Sequence, residues 1–427
     1  MTRILISIIL LMLVNVNLSA QNFKKDQEAF LEAEYFLMFE DYNDALPYYM
    51  KLYKQYPDNY NLAYRIGLCY LGIPGSKHIA IDYLEKAAAN SEASYREGSL
   101  GQETAPYVAW YFLGNAYRIN YQFDKAKEAY KKYRSTLLEE DTDNIMFIDH
   151  QILCCENAKT IMKDPVEFDI KNIGGLFNDE NRNFNPLIST DGQVFAFMSS
   201  LKFYDAVFIS YKDNNKWSKP ANITPDLKSD GDLYISCLAN KGNTLYLSKD
   251  DDNESNIFIS KYEGDKWSAA RPLTSVINTS NWESHAFVSE DGSAMIFSSD
   301  RPGGQGGLDL YISYKDEDGE WGQPVNLGPE INTPFNEDRA FFIDNGRQLF
   351  FSSQGHYNMG GFDLFRSEKT EAGHWSEPEN LGYPINNPDD NVFFMPLNNG
   401  RSGYISFSRQ GEGYGREDIY LLTFKQD

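Results

Sequence analysis

From residue 166 onward one pattern recurs five times. A glycine preceded by a turn residue stands at Gly192, Gly242, Gly292, Gly346 and Gly400, at spacings of 50, 50, 54 and 54. The preceding residues are Asp191, Lys241, Asp291, Asn345 and Asn399. Asp-Gly and Asn-Gly pairs tolerate positive φ and close tight hairpins. An apolar run follows each turn: VFAFMSS, TLYLSKD, AMIFSSD, QLFFSSQ and GYISFSR. A second strand then opens with Asp205-x-x-Phe208, Asn256-x-Phe258, Asp309-x-Tyr311, Asp363-x-Phe365 and Asp418-x-Tyr420. Trp217, Trp267, Trp321 and Trp375 close the first four units at spacings of 50, 54 and 54. One unit alone cannot bury both faces of its sheet, whereas five in a ring can. Strand-rich repeats of this length predict a five-bladed β-propeller over residues 166–427, one four-stranded sheet per blade. The competing β-solenoid has shorter repeats. Ring closure would pair residues near Val166 to Ile173 with the last blade.

Residues 22–163 have a different texture, with few glycines and long stretches of helix formers. Trp110-x-x-Leu113-Gly114-x-x-Tyr117, then Ala126 and Tyr130, resembles the tetratricopeptide pattern. An earlier unit shows Ala63, Ile66, Gly67 and Tyr70, then Ala80 and Leu84. The first shows Ala33, Ala45, Tyr49 and Pro57, and Pro57 ends its second helix. Ala45 to Ala80 is 35 residues and Ala80 to Ala126 is 46, so an insertion falls between Ser91 and Ala105. A last helix, Asn144 to Lys163, caps the stack, and Asp164-Pro165 ends it. The predicted fold is thus an α-solenoid of tetratricopeptide type followed by the all-β propeller. Trp110, Tyr117 and Tyr130 occupy pattern positions and are read as core.

At the N-terminus Arg3 precedes the apolar run Ile4 to Val14, and Ala20 offers a small residue for cleavage. Residues 1–20 read as a secretory signal peptide, too short to span a bilayer comfortably. The alternative is an uncleaved anchor. No cysteine follows the run to suggest a lipoprotein. The chain has 39 Lys plus Arg against 62 Asp plus Glu, a net charge of −23. Such acidity gains nothing from counterion release and has no polybasic patch for anionic lipid, which disfavours nucleic acid and electrostatic membrane docking. Cys69, Cys154, Cys155 and Cys237 include no CxxC, so a zinc site is unsupported and buried thiols are expected.

The phrase from Phe297 to Tyr311, FSSDRPGGQGGLDLY, resembles the PD40, or WD40-like, propeller repeat that also builds the TolB propeller. Asn326-Leu-Gly-Pro-Glu-Ile-Asn332 and Asn380-Leu-Gly-Tyr-Pro-Ile-Asn386 resemble the same family's blade openings. The whole chain is similar to Gram-negative envelope proteins that place tetratricopeptide repeats before such a propeller. Many of these end in an OmpA-like peptidoglycan-binding domain, and one relative anchors type IX secretion machinery. Here the chain closes with the fifth blade. The resemblance implies an exported protein, periplasmic or at the outer membrane, that scaffolds an envelope or secretion complex through other envelope proteins.

Catalytic and metal signatures are scarce. The five histidines are scattered, HExxH and G-x-S-x-G are absent, and no cofactor site is expected. Ser289-Glu-Asp291-Gly292 faintly resembles the sialidase Asp-box, but its Asp and Gly are adjacent. The acidic run Lys249 to Glu254 has oxygen ligands for calcium but lacks an EF-hand loop's spacing and reads as a solvated hairpin tip. These absences predict that the chain is not an enzyme. The alternatives are a carbohydrate- or peptidoglycan-binding module and a glycan-active propeller. The distinctive feature is three glycine-rich loops, 301–307, 354–361 and 409–416, expected on one face. Their backbone N–H groups either receive an anionic or peptide ligand or serve turns and inter-blade packing. Blade one has only Leu201 to Tyr204 there, and blade two the acidic Asp250 to Asn253. Arg301, Tyr357, Arg409, Tyr414 and Arg416 are the candidate partner-binding residues, offering guanidinium and aromatic surface to an acidic partner or glycan.

Overall fold

The computed structural model describes residues 22–251, 254–408 and 413–425. The proposed signal peptide at 1–20 and the candidate Arg409 lie outside those residues. The chain divides into two compact units, Met1–Cys155 and Glu156–Asp427.

The first unit is helical. Residues 22–38 form α1, followed by α2 (Tyr42–Gln55), α3 (Tyr60–Gly72), α4 (Ala80–Ala89), α5 (Ala109–Ile119) and α6 (Phe123–Arg134). The division between the units falls inside α7 (Thr142–Ile161). Sequence neighbours pack on one another: α2 on α3, α3 on α4, α4 on α5 and α5 on α6. The small residues of the repeated pattern permit this. A Cβ on Gly67 would lie 2.5 Å from Leu84 Cγ, and one on Gly114 would overlap the Tyr130 ring. Asn59 starts α3 by accepting a bond from Leu62 N at 3.0 Å, which satisfies one orphan N–H of the first turn. The insertion is part of the core rather than a free loop. Leu100 packs with Phe30, Tyr49 and Leu62, and its carbonyl accepts from Asn59 Nδ2 at 2.9 Å. A buried Arg65–Glu34 pair, with Nε–Oε1 and Nη2–Oε2 both 2.8 Å, ties α3 to α1. Tyr49 also donates to Glu34. All four cysteines are buried, and burial pushes the Cys69 and Cys237 thiols up to about 12.

The second unit is a five-bladed β-propeller. The inner strands of its blades are Asn183–Ile188, Leu233–Ala239, Glu283–Val288, Glu337–Ile343 and Met395–Leu397. Each pairs antiparallel with a second strand, which pairs with a third and then a short outer one. The five predicted turns join inner to second strands. At Gly292 (φ +75°) the turn needs a residue that carries no Cβ penalty, while Ser289 and Asp291 lock it through a 2.6 Å bond. Closure follows the expected route. Phe168–Asn172 is the outer strand of the fifth blade and pairs with Asp418–Phe424 from Tyr420↔Asn172 to Phe424↔Phe168. The ring is thereby sealed by backbone hydrogen bonds between its two sequence ends.

The blades are tied by a buried polar clasp. In blade three Asn332 accepts from Leu310 N at 2.8 Å and donates to Leu310 O at 3.0 Å and Asn326 Oδ1 at 2.9 Å. Blade four repeats this with Asn386, Leu364 and Asn380, and blade five with Asn178, Ile419 and Asn172. We predict that Asn386→Ala, which orphans the buried Leu364 N–H and leaves its C=O with Leu381 N alone, lowers unfolding free energy by about 1–3 kcal/mol, read by urea denaturation.

Candidate functional site on the glycine-rich face

The inner strands of blades one to five contact one another in sequence, and the inner strand of blade one meets the second strand of blade five, Ser402–Phe407. The inner strands run toward the hairpin end, so the loops between second and third strands emerge at the opposite end. That end carries the glycine-rich loops and the first residues of every inner strand.

Among the described residues, each loop turns backbone N–H groups inward onto an aspartate of its own blade. Gln305 N donates to Asp309 Oδ2 at 2.5 Å, Met359 N to Asp363 Oδ2 at 2.8 Å and Tyr414 N to Asp418 Oδ2 at 2.7 Å. The same oxygens accept from Asn326, Asn380 and Asn172 at 2.7, 2.7 and 2.8 Å. Each aspartate opens a third strand and is buried. The glycines serve this closeness, since a Cβ on Gly304 would collide with the Asp309 carboxylate. Of the two readings of these loops, internal packing is the one the described backbone supports: an aspartate of the same blade already fills the anion position.

The candidate side chains separate into two groups. Arg301 turns inward. Its Nη2 donates to Glu283 Oε1 at 3.1 Å and to Ile277 O at 2.7 Å, its Nε donates to Ser299 at 2.9 Å, and its guanidinium lies 4.9 Å from the Phe297 ring centre. His356 takes this socket in blade four, meeting Ile331 O at 2.8 Å beside Phe351 and Phe365. Arg301 is therefore a member of its blade's core. Tyr357 and Tyr414 are 50% and 55% exposed, and Arg416 is also exposed. The tryptophans that close the units are covered at the hairpin end, where Lys315 and Lys369 each sit 4.9 Å over Trp321 and Trp375.

Glu283 and Glu337 are equivalent buried carboxylates. Glu337 accepts from Thr333 N–H, Thr333 Oγ1 and Ser353 Oγ, each at 2.7 Å; Glu283 accepts from the matching Thr279 N–H, Thr279 Oγ1 and Ser299 Oγ at 2.6, 2.7 and 2.9 Å and has Arg301 besides. Burial pushes Glu337 up to about 7, only partly opposed by the Ser353 and Thr333 hydrogen bonds.

A polar cluster lies among the first residues of the inner strands. Asn185, His285 and Arg339 all have φ near +50° and sit at bulges in blades one, three and four. Arg339 Nη1 reaches from blade four to Asn185 Oδ1 in blade one at 3.0 Å. His285 Nδ1 lies 3.0 Å from Asp338 Oδ1, which also accepts from Ser298 Oγ at 2.6 Å and Arg339 N at 2.8 Å. Burial would raise the Asp338 carboxyl, but His285, Arg339 and Ser298 outweigh it and hold it well below the usual carboxylate range. Sequence reading missed this cluster. Its one local trace is that Asn183, Glu283 and Glu337 stand two residues before the three bulged residues. At the hairpin end a cavity of about 750 Å³ is lined from all five blades, by Leu187, Cys237, Phe287, Phe342 and Met395 among others.

No family model matches the chain, and no curated protein matches it. Among solved structures it is similar to TolB from Acinetobacter baumannii, at 14% identity over 58% of this chain and 55% of that one, with a TM-score of 0.39. It is also similar to the catalytic domain of the GH62 α-L-arabinofuranosidase of Coprinopsis cinerea, at 11% identity over 61% and 98%, TM-score 0.38. A third is the endo-arabinase from Bacteroides thetaiotaomicron, at 13% identity over 60% and 98%, TM-score 0.38. The chain spans about half the length of the Acinetobacter TolB chain. At these identities the likeness is one of fold alone. The expectation that the chain is not an enzyme is corrected here. Two of these three similar chains carry enzyme names, and a fold does not by itself decide whether a chain is catalytic. The cluster around Asp338 also assembles an ionised carboxylate, an imidazole and a guanidinium, groups that motif searches cannot find.

Two outcomes check this description. Arg301→Ala leaves Glu283 buried without its cation and lowers stability by about 3–5 kcal/mol, whereas Tyr414→Ala leaves the melting temperature nearly unchanged. Glu337 gives a pH signature. An unfolded glutamate titrates near 4.3, so between about pH 4.5 and 7 the native state keeps a proton that the unfolded chain has lost. Stability therefore falls as pH rises through that window. Glu337→Gln removes this loss, and the stability difference, variant minus wild type, rises by up to about 3 kcal/mol from pH 4.5 to 7.5 in urea titrations. A flat difference would mean a carboxylate ionised throughout.

Proposed function

We propose that the chain is an exported interaction protein of a bacterial cell envelope, periplasmic or held at the outer membrane, that helps assemble an envelope or secretion complex. In this reading the helical unit is a tetratricopeptide-type stack and the propeller's glycine-rich face receives a protein partner. One observation carries it. The loop backbones are clasped internally by Asp309, Asp363 and Asp418, while Tyr357, Tyr414 and Arg416 remain exposed. Aromatic and arginine side chains on pre-ordered loops lose little entropy on binding and serve as interface anchors. Export is supported by the apolar run Ile4 to Val14 and the small residue Ala20. Among the described residues no helix is long and apolar enough to cross a membrane.

The test is recovery of partners from crosslinked envelopes. Tyr357→Ala, Tyr414→Ala and Arg416→Ala together should reduce a specific recovered subunit at least about tenfold with the melting temperature preserved. Undiminished recovery would remove this face from the reading. A second reading, a glycan-binding or glycan-active propeller, is favoured by the cluster around Asp338. In that cluster the carboxylate is Asp338, whereas glycoside hydrolysis commonly uses a pair. Binding to purified cell wall, or turnover of an arabinan and glycoside panel that Asp338→Asn abolishes, would establish it.

A further inference from the structure

Helix α1 is apolar on two sides. Phe30, Ala33 and Leu37 recur at helical spacing, with Phe30 and Ala33 fully buried in the unit's core. Leu31, Tyr35 and Met38 recur at i, i+4 and i+7 on another side and are 49%, 57% and 70% exposed. Phe39 adjoins them at 54%, and its ring centre lies 5.0 Å from that of Tyr35. The other exposed large apolar side chains are scattered through loops and helices, whereas these four form one stripe. The end helix of a helical repeat array needs a polar outer face for solubility, and a contiguous apolar stripe marks an interaction surface.

Charge selects the occupant. Lys24 and Lys25 are exposed at the start of α1, Glu40 and Asp44 are exposed just beyond its end, and Glu28 and Glu32 flank the stripe. These flanking carboxylates disfavour an anionic lipid surface. We propose that the stripe docks a second copy of this chain, α1 against α1 in antiparallel orientation about a two-fold axis. Antiparallel pairing brings the basic start of each helix beside the acidic end of its partner and opposes the two macrodipoles. A parallel pair would stack like charges at both ends.

Sedimentation velocity and light scattering on the purified full chain test this across micromolar concentrations. A reversible dimer is expected. Tyr35→Glu with Met38→Glu should raise its dissociation constant on the order of a hundredfold, with far-ultraviolet circular dichroism unchanged. If that variant loses helicity, Tyr35→Ala with Met38→Ala is the milder probe and should still weaken the dimer. Lys24→Glu with Lys25→Glu should weaken it about tenfold, and adding Glu40→Lys with Asp44→Lys should restore it. A wild-type monomer at every concentration, a dimer indifferent to the stripe substitutions, or failure of the charge swap to restore association would each overturn the proposal.

Discussion

The propeller rests on a short polar clasp: one aspartate, one asparagine on the outer strand and a second asparagine six residues further on. Asp309, Asn326 and Asn332 show it in full. The carboxylate holds the loop before the third strand, the first asparagine carries that grip to the outer strand, and the second closes both backbone groups of Leu310. Three otherwise separate pieces of chain become one rigid blade edge. Because the site is buried, each of these groups needs its partner, and the arrangement tolerates little change. Blades one and two use reduced versions. Thr224 Oγ1 accepts from Val207 N at 2.8 Å in the first. In the second, Asn278 keeps the backbone pair with Ile257 while Asn256 replaces the aspartate. The long glycine-rich loops occur where the complete clasp occurs.

That coupling shapes what the face can recognise. A glycine-rich loop with free N–H groups would suit a phosphate or carboxylate. In blades three to five the carboxylate is already present, in the chain itself. The side chains that the clasp leaves outside are Tyr357, Tyr414 and Arg416, the ones on which the proposed partner surface rests. Arg301 shows the opposite outcome. A cation in an acidic chain looks available in sequence, yet Glu283, Ile277 O and two rings absorb it. His356 fills the same socket without a fixed charge, and Glu337 beside it pays for burial with a raised pKa.

The helical unit is organised by a comparable buried charge. Glu34 accepts from both nitrogens of Arg65 and from Tyr49, so α1, α2 and α3 share one carboxylate. A buried pair of this kind costs desolvation and specifies geometry more than it adds stability. It orients α1 so that Phe30 and Ala33 enter the core, which leaves Leu31, Tyr35 and Met38 outward.

The sequence by itself determined the period, the number of blades, the turn at the head of each and the strand that seals the ring. These are local properties: glycine and asparagine at positive φ, two-residue alternation and a repeat read by counting. It likewise determined the helix pairs through Gly67 and Gly114, whose missing side chains match Leu84 and Tyr130. Tertiary structure alone decided where side chains with chemistry point. Nothing local separates Arg301, turned into its blade, from Arg416, left exposed. The cluster of Asn185, His285, Asp338 and Arg339 joins residues up to 154 positions apart, at bulges where a positive φ breaks the alternation that sequence reading relies on. Only closure of the ring brings blade four to blade one and lets Arg339 meet Asn185.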